Sequence, residues 1–163
     1  MTRHARETDT HWYVEPALLD GLVIGLDDPA VSGEAEGVPL MLVAGGAGSD
    51  LPDPLAVATA LRSAIDTDRP VIVTGASVLT SAAVGAIGLL NVLAAVRFAL
   101  NGAEVPELTE LLRSDDVAEL QDIMTRMSSA DSGIVRAFCP VYRTAEPAVL
   151  TAALAAVGLA SSA

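Results

Sequence analysis

Apolar positions along this chain fall into two kinds of run. Some are short and unbroken, as in Val38 to Val43 (VPLMLV) and Val71-Ile72-Val73. Runs of that length, rich in branched side chains and bounded by Gly, Pro or Asp, fit strands buried on both faces. Others recur every third or fourth residue, which places them on one face of a helix. Between the two short runs, Asp53 stands where a helix N-cap belongs and Pro54 takes the first helical position. The spacing predicts a helix to about Ile65, with Leu55, Ala58, Leu61 and Ile65 on one face, ended by Asp66-Thr67-Asp68. After the second run, Gly75 turns the chain. Ser77 or Thr80 is then expected to cap a long small-residue helix, 78–100, that stops near Asn101-Gly102. The order strand, helix, strand, helix is the signature of a parallel sheet with right-handed crossovers.

The flanking segments carry weaker patterns. Residues 1–10 are charged and aperiodic, which predicts a disordered arm ahead of a single α/β domain, 11–163. Residues 12–26 fit a short helix from Glu15, broken at Gly21, then a short strand. Residues 27–37 are acidic and turn-rich and read as a surface loop. Pro106 opens one helical piece and Ser114 caps another, so about 104–128 reads as a helical insertion, an amphipathic hairpin or kinked helix. Its apolar positions are Leu108, Leu111, Leu112, Leu120, Ile123, Met124 and Met127. GIVRAFCPVYR, 133–143, reads as a strand interrupted at Pro140, and 145–159 as an Ala-rich helix. The expected fold is α/β: a small, mostly parallel sheet with helices on both faces, a Rossmann-like three-layer arrangement.

Charge narrows the partners. The 163 residues hold 21 Asp and Glu against nine basic residues, all Arg, for a net charge of −12. Such a surface repels phosphate backbones and anionic membranes, so no nucleic acid is expected. The stretch Val71 to Val96 has no charge and is long enough to span a bilayer. It begins β-branched, is punctuated by Gly75, carries Thr80, Ser81 and Asn91, and lacks flanking basic or aromatic anchors. A strand, a turn and a buried helix in series is therefore expected, and not a membrane span. The N-terminus MTRHARETDTHW has no apolar stretch of the secretory kind. One cysteine excludes an intrachain disulfide. The expected compartment is a reducing cytoplasm, and the Ala-rich, Lys-free composition fits a GC-rich bacterial genome.

Candidate chemistry gathers at the two strand-to-helix turns. Gly45, Gly46, Gly48, Ser49 and Asp50 follow the first strand and precede a helix. Their backbone N–H groups are suited to cradle a ligand, or they form an ordinary corner, for which Gly is the default residue. GxGxxG is incomplete here, and a Walker A loop needs a Lys that the chain lacks. Asp50 and Asp53 oppose a phosphate and favour a ribose hydroxyl, an amine or a metal-bound group. Thr74, Gly75 and Ser77 form the second turn, where the hydroxyls either bond a ligand or, at Ser77, cap the helix. Ligands of open α/β sheets bind at such carboxyl strand ends. Glu146 is an acid at a helix start and a general base only if desolvated. Cys139 has no His near it in sequence and reads as a buried core residue more than as a nucleophile. A hard-metal site from Asp50, Asp53 and Asp27 or Asp28 lacks diagnostic spacing, and no metal is expected. No side-chain set names a cofactor.

DLPDPLAVATAL, RPVIVTGASVLTSAAV and YRTAEPAVLTAALAAVGL resemble, in that order, segments of the nicotinate-nucleotide:dimethylbenzimidazole phosphoribosyltransferases of cobamide synthesis. Pro54-Leu55, Val57, Pro70-Val71, Gly75, Ala145-Glu146-Pro147 and Gly158-Leu159 carry the likeness. Thr74 stands where that family has Asp, Ala148-Val149 replace Gly-His, and the terminal segment with the catalytic Glu has no counterpart. The resemblance therefore implies a nucleotide- or ribosyl-like ligand without the family's catalysis. Two functions of different kind are expected: a small-molecule-binding domain, or a non-catalytic assembly protein that forms a homo-oligomer through the small-residue helix 78–100.

Overall fold

The computed structural model describes residues 22–26, 40–44, 53–80 and 87–157. They form an α/β unit on a parallel sheet. β1 (Val23–Gly25), β2 (Leu40–Ala44), β3 (Val71–Gly75) and β4 (Val141–Thr144) lie in the spatial order β1-β4-β3-β2. β2 pairs with β3 from Leu40↔Val71 to Ala44↔Gly75, β3 pairs Thr74 with Arg143, and β1 pairs Ile24 with Arg143. Paired residues of parallel strands project to the same face, and successive residues to opposite faces. Leu42, Val71, Val73, Gly75, Tyr142 and Thr144 thus share one face, and all are buried. Ile24, Ile72, Thr74 and Arg143 share the other, and all are half-buried.

The first helix, α1 (Pro54–Asp66), starts as the sequence predicts. The Asp53 carboxylate accepts from the Leu55 N–H at 3.1 Å. Its inward face is Val57, Ala58, Leu61 and Ala64, while Leu55 is 51% exposed and lies off it. Leu55 follows the cap by two residues, in the first turn, ahead of the part of the helix that reaches the core. Asp68 ends the segment with a positive φ of 57°, which Asp tolerates better than most residues. Arg62 ties α1 to the next helix, donating to the carbonyls of Ala99 and Ala103.

The second helix corrects the expected 78–100 segment. α2 spans Leu89–Leu100, and residues 76–80 are not helical. The first-turn donors find backbone acceptors instead of a hydroxyl cap: Leu89 N–H bonds the Val78 carbonyl at 3.0 Å and Leu90 N–H the Leu79 carbonyl at 2.8 Å. Gly88 sits so close to the Leu79–Thr80 backbone that a β-carbon would collide with it. Residues 89–96 are all buried within the chain itself. The small side chains of this helix therefore serve internal packing. Gly85, also in the expected helix, lies outside the described residues. Among the described residues no helix is long and apolar enough to cross a membrane.

The insertion is a pair of helices, α3 (Val105–Arg113) and α4 (Val117–Thr125), with Leu108, Leu112, Leu120 and Met124 buried. Buried Asn91 of α2 holds their junction, donating to the carbonyls of Leu111 at 2.7 Å and Ser114 at 2.8 Å.

The expected strand 133–143 is mostly a helix, α5 (Ser129–Phe138), and only its end enters the sheet as β4. A capping box nucleates α5. Ser128 Oγ accepts from the Asp131 N–H at 3.1 Å, and the Asp131 carboxylate accepts from the Ser128 N–H at 3.3 Å. Asp131 also pairs with Arg97 of α2 at 3.1 Å. The last helix, α6 (Pro147–Ala156), is shorter than 145–159 and packs against β1.

Candidate functional site

β3 and β4 end side by side, and their carboxyl ends are stitched by three long-range hydrogen bonds. Tyr142 is fully buried, and its hydroxyl donates to the Ala76 carbonyl at 2.8 Å. Gly75 lies directly against that ring, so close that a β-carbon would stand 2.6 Å from Tyr142 Cζ. Ser77 Oγ shares a hydrogen bond with Thr144 Oγ1 and accepts from the Glu146 N–H at 2.9 Å. The turn after β3 is thereby fastened to both the end of β4 and the start of α6. Ser77 does not cap α2; its hydroxyl joins two strand ends.

The other face of this edge carries Thr74 beside Arg143. The Nε of Arg143 is buried and has no hydrogen-bond partner. Other arginines among the described residues are engaged. Arg62 pairs with Asp66, Arg97 with Asp131, Arg113 with Glu110 and Arg126 with Asp122. Arg136 donates to the Pro140 carbonyl, and Arg69 also has a partner. Sequence pattern does not single out Arg143, because 133–143 reads as one strand interrupted at Pro140, while the chain divides it between α5 and β4. The signal was a single cation inside the apolar stretch VYRT.

Gly45, Gly46, Gly48, Ser49 and Asp50 lie outside the described residues, as do Asp27 and Asp28. Their position in the chain is still informative: they begin directly after Ala44, which pairs with Gly75. β2 and β3 therefore end together at the same edge of the sheet. Glu146 is exposed, so the desolvation that a general base requires is not present there. Asp53 is exposed and used as a cap. Among the described residues no cluster of three His, Cys, Asp or Glu side chains is placed to hold a metal.

Reactive groups lie deeper. Cys139 is fully buried, and burial pushes its thiol up to about 12 from an ordinary 9.0. Burial, and then the neighbouring Cys139, raise the Tyr142 hydroxyl as well. Neither is poised to lose a proton near neutrality. A separate cleft of about 380 Å³ at the α3–α4 junction is lined by Glu110, Leu111, Arg113, Ser114 and Glu119. Its main polar groups are occupied: Arg113 faces Glu110 at 4.0 Å, and Ser114 Oγ accepts from the Asp116 N–H. Beside the Arg143 guanidinium the sheet edge thus presents the Thr74 residue, while the hydroxyls of Ser77 and Thr144 are bonded to each other. No family model, curated protein or solved structure matches this chain.

Proposed function

We propose that this protein binds a small nucleotide- or ribosyl-like ligand at the carboxyl edge of its sheet, as a binding domain and not as a complete phosphoribosyltransferase. The observation that carries the reading is Arg143, whose buried Nε lacks a partner beside Thr74 at the strand ends. Carboxyl edges of parallel sheets are where such folds take ligands. Two of the segments that resemble the phosphoribosyltransferases, 69–84 and 142–159, pass through this edge, one at Gly75 and one at Arg143 and Thr144. We further propose a Rossmann-like layering. The crossovers from β2 to β3 and from β3 to β4 advance in the same direction. Right-handed connections then put α1 and α2 on one face, and α6 against β1 begins the other layer.

Native mass spectrometry of the purified chain, followed by thermal melts with adenosine and adenosine monophosphate, tests the binding function. A bound mass or a rise in melting temperature is expected, and it weakens in Thr74→Val. A ligand-free spectrum with no response to either compound overturns the reading.

A further inference from the structure

We infer that the ligand carries an oxyanion, a carboxylate or a phosphate group, and that Arg143 is its anchor. The inference rests on the reading of the sheet edge as a binding site and adds the charge of what binds. In a chain with 21 acidic residues and nine arginines, an arginine has no shortage of acidic partners. The other arginines described here have found partners; Arg143 has not. Burying a guanidinium nitrogen without an acceptor is costly, so an acceptor from outside the described chain is favoured.

The local register explains the vacancy. Arg143 stands between Ile24 and Thr74 across the sheet, and Val141 is its neighbour along the strand on the same face. None of these carries a negative charge. Glu146 follows three residues later, but it makes no ion pair with Arg143 and is exposed.

Among the described residues, several backbone N–H groups that follow β3 and β4 are already occupied. The first two N–H groups of α2 bond Val78 and Leu79, and the Glu146 N–H ahead of α6 bonds Ser77. Among the described residues at this edge, the Arg143 Nε remains a donor without an acceptor. A guanidinium presents Nε and Nη as a fork that matches two oxygens of a carboxylate or phosphate, which a hydroxyl-only ligand cannot use. Thr74 stands beside it, where its hydroxyl can serve the neutral part of the same molecule.

The test is calorimetric titration of the full chain with adenosine, adenosine monophosphate, inorganic phosphate and acetate, in wild type and Arg143→Met. Wild type is expected to bind adenosine monophosphate about tenfold or more tightly than adenosine. Arg143→Met should abolish that preference, and Arg113→Met, away from the sheet edge, should leave both affinities as in wild type. Competition by phosphate or by acetate identifies the kind of oxyanion. If phosphate or acetate binds to wild type and not to Arg143→Met while neither nucleoside binds, the anchor stands and the nucleoside reading falls. If adenosine and its monophosphate bind equally, the anchor is overturned and the nucleoside reading survives. No binding by any probe overturns both. Should Arg143→Met fail to fold, Arg143→Lys keeps the charge without the fork. A reduced preference for the monophosphate is then expected, and an unchanged one counts against the anchor.

Discussion

Replacing Gly75 by Ala tests how the candidate edge is assembled. The added β-carbon meets the Tyr142 ring, 2.6 Å from Cζ and 3.0 Å from Cε2, and comes closer still to the hydroxyl oxygen. Tyr142 cannot swing away, because it is fully buried and its hydroxyl is bonded to the Ala76 carbonyl. Overpacking of this kind costs about 1–3 kcal/mol. Displacing the ring also endangers the bond to Ala76, for about 1 kcal/mol more. The sum is roughly 3 kcal/mol, a fall in melting temperature of about 6–12 °C for a chain of this length. Equilibrium urea unfolding followed by circular dichroism measures it. Tyr142→Phe removes the atom nearest the intruding carbon, so the two changes should not add. The double variant should be less unstable than the sum of the singles by about 1 kcal/mol or more. A Gly75→Ala protein within about 0.5 kcal/mol of wild type, or strict additivity in the cycle, would refute the reasoning.

Asn91→Ala leaves the half-buried carbonyls of Leu111 and Ser114 without their donor; a loss of about 2 kcal/mol of unfolding free energy is expected in urea titration, with faster proteolysis between α3 and α4. Asp53→Ala removes the N-cap of α1 and should cost about 1 kcal/mol, read as a small drop in melting temperature. The raised Cys139 thiol contributes stability that is full below pH 9.0 and declines as pH rises from there toward about 12, because unfolding then releases a proton. A urea midpoint that holds constant from pH 8 to 11 in wild type, or that falls equally in Cys139→Ala, counts against this. In the same vein, native protein at pH 8 should leave Cys139 unmodified by a thiol reagent until urea exposes it, as its burial implies.

Local signals were enough for much of the chain. Asp53-Pro54 announces α1 because a cap and its helix are neighbours in sequence, and the donor and acceptor lie two residues apart. The periodic Leu and Met of 104–128 announce α3 and α4 for the same reason. The runs around β2 and β3 read as strands because they are short, branched and uncharged. Buried Cys139 followed from its chemistry alone. Where a segment carried two readings, local pattern misled. GIVRAF is apolar enough for a strand, yet Ser128 and Asp131 cap it as a helix, and Arg97, more than thirty positions earlier, reinforces that choice.

The rest was decided in three dimensions. The start of α2 depends on Val78 and Leu79 folding back to accept its first N–H groups, which no hydroxyl spacing foretells. Strand order, and with it the neighbours of Arg143, depends on which edges the crossovers reach. The bonds that fasten the candidate edge join residues 66 to 69 positions apart. Composition and periodicity act over one or two turns of chain, so they specify the elements. A buried guanidinium nitrogen without a partner exists only once the sheet has closed around it, and that is a property of the assembled packing.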